Sequence, residues 1–449
     1  MAIKDLKIVG QPVKLRDLDT HVTGETVYYE DIRVPRMLHL KMHRSIYPHA
    51  KILNIDTSEA KSSAGVVCVL THEDLPGKKK YNGLAGVGVG PEDESVLAFE
   101  KVRWKGESVV AVIAETPKQA EAAAAKVKVD YEELPAVFDI MEALKDGAPV
   151  VTDHWPNNHY IFPDNHRAAQ VRYGDVEKAF AEADHIVEDV YQTQPIEQAP
   201  LETNGCIAVP EGGDGRITVY SNTQGLQFSL DVTADILGVP TSKLRFIGGT
   251  VGGGFGGKVD LQPEPITTLA AMRTGRPVKF KYTREEEMRV SSSRSAWRVE
   301  IKDGVMNDGR IIARKITTYQ DSGAYLRFSS YGGMKHCGHM PGPYTIPNVW
   351  IDSIVVFTNR TPSNAMRGFG VMAGSFALEV QMDKVAETIG MDPWELRLIN
   401  AYREGDMKSH QKEVEDAGMV ETILAAAKLA GKQLPEEFQK MSSLDRKAG

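Results

Sequence analysis

Cysteine is scarce in this sequence of 449 residues, which contains only Cys68, Cys206 and Cys337. The three are far apart and none belongs to a Cys-x-x-Cys pair. The chain by itself therefore has no ligand set for an iron–sulfur cluster or a four-cysteine zinc site. This cysteine usage fits a reducing compartment, and we expect a cytoplasmic protein.

Long apolar runs and a strong charge imbalance are also missing. No run of about 18 apolar residues occurs, and the N-terminus has neither an apolar signal core nor a twin-arginine pair, so we expect no membrane partner. The 53 Lys and Arg residues against 61 Asp and Glu residues give a formal charge of −8 without a large block of one sign. We therefore expect no nucleic-acid partner.

The first third of the chain alternates strand-like and helix-like segments. The apolar runs 66–70 and 108–114 predict buried strands, and Thr116 followed by Pro117 predicts the start of a helix. Two strand–helix–strand units indicate a small α/β or α+β domain. The irregular segment that follows, rich in Pro and Asn, predicts a linker.

Strands, turns and capped helices continue beyond this linker. Two hairpins are predicted, one with its turn at 211–215 and one with its turn at 307–309. Helices are predicted over 227–237 and 372–389, each followed directly by a glycine. Together with the first third, this pattern predicts a mixed α+β protein of two or three domains.

The most unusual segment is residues 248–258, which we name the glycine loop. Seven glycines occupy the ten positions before Lys258. Such a run presents its backbone rather than its side chains to whatever lies close by. A mobile linker is a poor interpretation, because linkers are usually polar, whereas this loop contains Phe255 and lies between an apolar strand and an apolar helix.

Nucleotide-binding interpretations of the glycine loop also fit poorly. Gly252 to Lys258 matches the phosphate-loop spacing, but Val259 stands where a Ser or Thr must reach magnesium. Pro263 and Pro265 prevent the loop from running straight into a helix. No acidic residue about twenty positions on completes a dinucleotide fold. A loop whose backbone amides line a cofactor remains.

A second motif lies about 110 residues beyond the glycine loop. It is Ala-Met-Arg-Gly-Phe-Gly at residues 365–370, which we name the arginine loop. Together with Gly-Gly-Gly-Phe-Gly-Gly-Lys it closely resembles the molybdenum-binding subunit of the xanthine dehydrogenase and aldehyde oxidase family. Shorter matches at 201–203, 221–224 and 346–348 extend the resemblance, which covers about Asp17 to Asp406.

The resemblance implies an α+β fold with two main parts. Residues 17–145 would form an a/b hammerhead domain and residues 146–165 a linker. Residues 166–432 would form the first half of a molybdopterin-binding domain, and residues 433–449 a C-terminal tail. In this family the metal is held by the dithiolene of a molybdopterin, so no residue of the chain is expected to bind it directly.

The resemblance also implies which residues contact the cofactor. Gln224 matches a glutamine that hydrogen-bonds the apical oxo ligand, and Arg367 matches a residue whose backbone approaches the same centre. The remaining cofactor-binding positions lie in the glycine loop and are Gly253, Gly254, Phe255 and Gly256. Taken alone, Gln224 would as readily cap a helix, and Arg367 would be a surface charge.

The implied substrate-binding residues are Val259, Lys335 and Phe369. Val259 replaces the glutamate of purine-specific enzymes and Lys335 aligns with their arginine, which favours an aromatic or N-heterocyclic substrate bearing a carboxylate, oxyanion or carbonyl over xanthine. Oxidation of an aldehyde stays open. Gly368 stands where carbon monoxide dehydrogenases have a cysteine, so no copper–molybdenum centre is expected.

His336 and His339 invite a separate interpretation as metal ligands. They lie in a glycine-rich segment that ends at a proline and in which we predict no helix. The spacing of the two histidines would suit a metal only on a helix, so we do not expect them to form a metal pair.

The family reaction is hydroxylation with water as the oxygen donor, and it needs a glutamate as general base. That glutamate follows a glycine near the end of the family's longer subunits, whereas the Gly-Glu pairs here, 24–25 and 106–107, lie in the first third. We therefore expect no catalytic base in this chain. The resemblance to bacterial nicotinate dehydrogenase implies the N-terminal half of a split subunit, with the base on a second molybdopterin subunit.

Electron transfer implies further partners. The resemblance predicts 2Fe-2S clusters and FAD on separate subunits, a cytosine dinucleotide form of the pterin, and activity only in the assembled complex. A non-catalytic scaffold that has lost the cofactor is the alternative, and a truncated fragment stays open.

Overall fold

The computed structural model describes residues 7–84, 88–213, 215–261 and 263–445. Its strands are β1 (Leu38–Arg44), β2 (Ala50–Asp56), β3 (Val66–Leu70), β4 (Lys80–Tyr81), β5 (Glu94–Ser95), β6 (Lys101–Val102), β7 (Ser108–Ala114), β8 (Lys128–Glu133), β9 (Ala169–Tyr173), β10 (His185–Thr193), β11 (Gly205–Pro210), β12 (Ile217–Ser221), β13 (Leu244–Gly248), β14 (Val278–Lys281), β15 (Ser293–Arg294), β16 (Trp297–Val305), β17 (Ile311–Gly323), β18 (Val349–Phe357) and β19 (Ser363–Asn364).

One α-helix precedes the first of these strands, and the others lie between the strands or after the last of them. They are α1 (Leu18–Thr23), α2 (Ser58–Lys61), α3 (Pro117–Ala124), α4 (Ile140–Ala143), α5 (Val176–Glu182), α6 (Leu226–Leu237), α7 (Glu264–Thr274), α8 (Arg284–Val290), α9 (Ser329–His339), α10 (Val371–Ile389), α11 (Pro393–Asn400), α12 (Met419–Leu429) and α13 (Glu436–Gln439). The mixture of helices and sheets confirms the predicted α+β fold class.

A seven-stranded sheet in the order β13-β12-β11-β14-β1-β7-β3 forms one core. Its central pairing is parallel and joins distant parts of the chain, with Leu38 of β1 opposite Val278 of β14. Strands from the first third and strands from the middle of the chain therefore share one sheet. The domain boundaries 17–145 and 166–432 stay predictions.

A five-stranded sheet in the order β10-β16-β17-β18-β9 forms the second core. Helices α9 and α10 pack on it, and their apolar faces share a buried cluster with residues such as Trp297 and Ile351. The glycine loop follows β13 of the seven-stranded sheet, and the arginine loop lies between β19 and α10.

Most local sequence signals are confirmed. Strands β3 and β7 match the predicted apolar runs, and the Thr116 hydroxyl accepts the Gln119 amide at the start of α3. Helices α6 and α10 end at Gly238 and Gly390 in the left-handed conformation. Strands β11 and β12 form the first predicted hairpin, although Asp214 in its turn lies outside the described residues.

The prediction of no helix around His336 was wrong, because this segment is helix α9. Its glycines have low intrinsic helix propensity. Here they let the helix approach the five-stranded sheet closely, since a Cβ added at Gly333 would lie 3.0 Å from Cγ2 of Val355. Close packing therefore outweighs the local preference.

The segment predicted as a linker, 146–165, has no regular element but is packed into the core. The Trp155 ring stacks on Phe357 at 5.1 Å between centroids. Asn158, almost fully buried, donates to the carbonyls of Ala143 and Pro149. At the other end of the chain, part of the predicted tail also packs, since Phe438 of α13 is buried against α11 and α12.

Helix α10 has 19 residues and carries several charged side chains. Across the described parts of the chain, no helix has both the length and the apolar character needed to cross a membrane.

Candidate active site

A cavity of about 570 Å³ lies where the glycine loop, the arginine loop and the start of α9 meet. Its lining residues are Leu84, Gln224, Phe255, Gly256, Val259, Phe328, Tyr331, Ala365, Met366, Arg367, Gly368 and Phe369. Six of the nine predicted site residues line this cavity. Gly253 and Gly254 belong to the same loop, and Lys335 lies one helical turn beyond Tyr331, outside the lining.

Gln224 is fixed by the glycine loop. Its Oε1 accepts the backbone amides of Gly256 at 3.0 Å and Lys258 at 3.3 Å. Its own backbone amide donates to the carbonyl of Lys258 at 2.7 Å. Because the side-chain oxygen accepts two amides, Nε2 is left as a donor, and within the described residues it has no acceptor. Gly254 makes this approach possible, since a Cβ there would lie 2.6 Å from Oε1 of Gln224.

The two loops touch through their backbones. The Arg367 amide donates to the Phe255 carbonyl at 2.8 Å. Gly256 has a φ of +97°, and a Cβ on it would lie 2.8 Å from the Ala365 carbonyl oxygen. Phe255 and Phe369 also have positive φ values, of 53° and 40°. Bulky residues rarely adopt this conformation, so the surrounding contacts must hold both aromatic residues in place.

A buried ion pair anchors the glycine loop from behind. Lys258 Nζ lies 3.1 Å from Glu202 Oε2, and both side chains are almost fully buried. The same carboxylate accepts the Gly252 amide at 2.9 Å and Asn222 Nδ2 at 3.0 Å. Burial lowers the pKa of Lys258, while the Glu202 carboxylate acts in the opposite direction. Lys258 therefore holds the loop and does not face a ligand.

The arginine loop is anchored through its own backbone carbonyls, which accept hydrogen bonds from side chains outside the loop. Gln198 Nε2 donates to the Ala365 carbonyl at 2.7 Å, and Arg294 Nη2 donates to the Arg367 carbonyl at 2.8 Å. His336 Nδ1 lies 2.8 Å from the Gly370 carbonyl. A carbonyl only accepts, so Nδ1 carries the proton.

His336 itself is buried and stacks on Trp297, with ring centroids 3.9 Å apart. Burial lowers its pKa from 6.5 to about 4, so the ring is neutral near pH 7. His339 instead bonds the Lys335 carbonyl through its own Nδ1. The two histidines thus bond different backbone carbonyls, although both lie on helix α9, and the expectation that they are not a metal pair stays a prediction.

A buried ionic junction connects the cavity wall to the first third of the chain. Arg327 makes two hydrogen bonds to Glu94, at 2.8 and 2.7 Å, and its Nη1 lies 2.8 Å from Asp260 Oδ2. Asp260 directly follows Val259 and Arg327 directly precedes Phe328, both of which line the cavity. Burial raises the pKa of the Asp260 carboxyl. The sequence offered no signal for this junction.

The chain's Gly-Glu pairs lie away from the cavity. Glu107 is fully buried, bonds the Tyr325 hydroxyl and accepts the Arg103 amide at 2.7 Å. Burial raises its pKa to about 7. Glu25 is exposed and accepts the Thr23 hydroxyl at 3.1 Å. Among the residues that the structure describes, no Asp, Glu or His lines the cavity.

The geometry fits a large cofactor held by backbone contacts. A Cβ at Gly254 or at Gly256 would clash, and Nε2 of Gln224 at the cavity has no acceptor among the described residues. By contrast, no group of three or more His, Cys, Asp or Glu residues that could hold a metal ion occurs within the described ranges. Such a site would take a metal only together with its own organic ligand.

Comparison with known proteins gives matches along most of the chain. Residues 158–401 match the model for the molybdopterin cofactor-binding domain, and residues 23–135 match the model for the a/b hammerhead domain of aldehyde oxidase and xanthine dehydrogenase. The nicotinate dehydrogenase large molybdopterin subunit of Eubacterium barkeri is 34% identical over 95% of this chain and 97% of its own length.

Other relatives are longer. A probable xanthine dehydrogenase subunit of Bacillus subtilis is 35% identical over 89% of this chain but 52% of its own length. The solved aldehyde oxidoreductase of Desulfovibrio gigas superposes with a TM-score of 0.86 at 32% identity, covering 92% of this chain and 46% of that one. The chain thus spans about half the length of these two proteins.

Proposed function

The chain belongs to the xanthine dehydrogenase and aldehyde oxidase family of molybdenum hydroxylases, and we propose that it is the molybdopterin-binding subunit of a multi-subunit hydroxylase. The observation that carries the proposal is that Gln224, Phe255 and Arg367, which lie far apart in the sequence, line one cavity. The match to the molybdopterin cofactor-binding domain supports it.

The residues that would hold the cofactor are Gln224, the glycine loop from Gly253 to Gly256, and Arg367. Once bound, a molybdenum–molybdopterin group, proposed as its cytosine dinucleotide form, would supply the centre at which water-derived oxygen is transferred to carbon. Gln224 would offer its free Nε2 donor to an oxo ligand. The Arg367 amide is already committed to Phe255, so this bond would fix the spacing of the two loops around the group.

The cavity walls favour a flat, apolar substrate. Val259, Phe328 and Phe369 line it, and the Tyr331 ring lies 5.7 Å from the Phe369 ring. Such walls suit an aromatic or N-heterocyclic ring. The aromatic side chains would contact the face or the edge of this ring and exclude water from it. We propose that Lys335, one turn beyond Tyr331, attracts a substrate carboxylate at the mouth of the cavity. An aldehyde is the alternative substrate.

A complete enzyme needs groups that the described part of this chain does not place at the cavity. We propose that a second molybdopterin subunit supplies the glutamate that removes the proton in the hydroxylation step. Iron–sulfur and FAD subunits would carry the electrons away. The coverage of 97% of the nicotinate dehydrogenase large molybdopterin subunit supports a subunit of this length.

Metal analysis of the co-purified complex tests the function. We expect molybdenum in the complex and hydroxylation of an acidic heterocycle such as nicotinate, with isotope from labelled water appearing in the product. A complex without molybdenum would support the scaffold alternative instead.

The substrate proposal has its own test in the Lys335→Met variant. We expect its KM for nicotinate to rise about tenfold, equivalent to about 1.4 kcal/mol, and its KM for the neutral carboxamide to stay the same. Lys118→Met, an exposed lysine on α3, is the control for a general change in surface charge. Equal effects on the acidic and neutral rings would contradict a carboxylate contact.

A further inference from the structure

Residues 325–328 lead into helix α9 and include a strained backbone position next to the cavity. We name them the wall segment, because the last of them, Phe328, lines the cavity. Arg327 has a φ of +42°. A residue with a long side chain rarely adopts this conformation, and it persists only where surrounding contacts enforce it. The contacts around Arg327 therefore decide where the wall segment lies.

Three buried acids from the first third of the chain bond three consecutive residues of the wall segment. The pairs are Glu107 with the Tyr325 hydroxyl, Asp93 with the Leu326 amide and Glu94 with the Arg327 guanidinium. Asp93 accepts its bond at 2.9 Å, and Glu94 accepts two bonds at 2.8 and 2.7 Å. Each of the three acids is at most 6% exposed, so water competes little for these bonds. The first third thus holds both the backbone and the side chains of this segment.

The wall segment places an aromatic ring at the cavity. The Phe328 ring lies 5.3 Å from the Phe228 ring of α6, measured between centroids. Phe228 packs over Gly83, where a Cβ would lie 2.1 Å from Cζ of Phe228, and the next residue, Leu84, lines the cavity as well. Because Phe328 both packs on Phe228 and lines the cavity, a displacement of the wall segment would change the width of the cavity.

We propose that Asp93 and Glu94 are positioning residues that hold the Phe328 ring in the cavity wall and thereby set the selectivity for substrate ring size. The inference rests on the proposed function. Neither acid is among the residues that line the cavity, so both act through the wall segment. Glu94 fixes the guanidinium next to Phe328, and Asp93 fixes the backbone two positions before it. Without these bonds the strained conformation of Arg327 loses its support, and the ring gains a second position.

The first test needs neither cofactor nor turnover. A trifluoromethylphenylalanine placed at Phe328 of the full chain reports the position of the ring by fluorine NMR. Glu94→Gln keeps the shape of the side chain but turns an N–H toward the Arg327 guanidinium, so one of the two hydrogen bonds is lost. We expect a second resonance with at least about a tenth of the intensity in this variant. A single resonance at the wild-type position would overturn the proposal.

Matched variants separate positioning from a general loss of charge or stability. Glu100→Gln changes an exposed acid beside Lys80 and should keep the single resonance. Asp93→Ala removes the acceptor of the Leu326 amide and should give a second resonance, whereas Asp93→Asn offers an amide oxygen to the same donor and should keep the single one. The same spectrum for Asp93→Ala and Asp93→Asn would contradict positioning through this bond. If Asp93→Ala does not fold, Glu94→Gln against Glu100→Gln decides.

In the assembled enzyme the same change should alter substrate preference. For Glu94→Gln we expect the ratio of kcat/KM for nicotinate to that for a two-ring quinoline carboxylate to fall at least about fivefold, mainly through KM, because Phe328 would contact the ring and not the reacting carbon. Equal ratios in Glu94→Gln and the wild type would contradict a role in selectivity. The expected resonances in a complex without molybdenum would support the positioning and contradict only the proposed function.

Discussion

The glycine loop and the arginine loop face the same cavity but are held in different ways. Buried charge fixes the glycine loop, through Lys258 and Glu202. The arginine loop is fixed through its backbone carbonyls, which accept from Gln198, Arg294 and the neutral His336. A buried ion pair fails completely when one partner is lost, whereas several separate hydrogen bonds fail one at a time. A single substitution should therefore lower the local stability of the glycine loop more than that of the arginine loop.

The largest effect on either loop is expected for Lys258→Met. The change leaves the Glu202 carboxylate buried without its cation, which should lower the local stability of the glycine loop by about 3–5 kcal/mol. Hydrogen exchange of the loop amides measures this loss. Adding Glu202→Gln to the same chain should restore part of it, and a double variant no better than the single one would argue against the ion pair.

The contact between the loops gives the next largest effect. In Gly256→Ala the new Cβ would meet the Ala365 carbonyl oxygen, and alanine would have to adopt a φ of +97°. The backbone conformation alone should destabilise the protein by about 1–3 kcal/mol, seen as a lower thermal midpoint. Gly249→Ala in the same loop is the control, because a Cβ there has nothing within 4 Å. Equal shifts in the two variants would contradict the backbone contact.

Acid should act on the arginine loop through His336. Its pKa is about 4 in the folded protein against 6.5 for the ordinary group, so below pH 6.5 the unfolded chain binds the proton more readily. Stability from this residue is complete above pH 6.5 and falls by about 1.4 kcal/mol for each unit down to about pH 4. His336→Phe keeps a ring on Trp297 but removes the titration. The thermal midpoint of the wild type should fall more steeply than that of the variant between pH 7 and 5, and parallel curves would exclude this linkage.

The smallest expected effect is that of Gln198→Leu. It removes one donor to the Ala365 carbonyl and should cost about 1 kcal/mol, because Arg294 and His336 still hold the loop. Hydrogen exchange at residues 366–370 is the measurement, and Gln227→Leu on the exposed face of α6 is the control. A loss as large as that of Lys258→Met would show that the arginine loop is no more robust than the glycine loop.

Sequence reasoning found the cavity but not what supports it. Gly254 and Gly256 were recognisable as candidate site residues, because a run of glycines presents its backbone to a neighbouring group. In the structure each of the two makes a close contact that leaves no room for a Cβ. The partner of Lys258 was not recognisable, because Glu202 lies 56 residues earlier and only the fold brings the two together. Helix α9 was missed for a similar reason, since its glycines are poor helix formers until they pack on β18.

Because β1 pairs with β14, β1 lacks this neighbouring strand during synthesis until β14 has been made. The two strands are about 240 residues apart, so at about 5–20 residues per second β1 emerges roughly 10–50 s before the strand that covers its edge. Throughout that interval the unpaired backbone edge of β1 is open to other nascent chains. We expect the yield of this protein in cells to depend on chaperones that protect this edge more than on the final stability of its sheets.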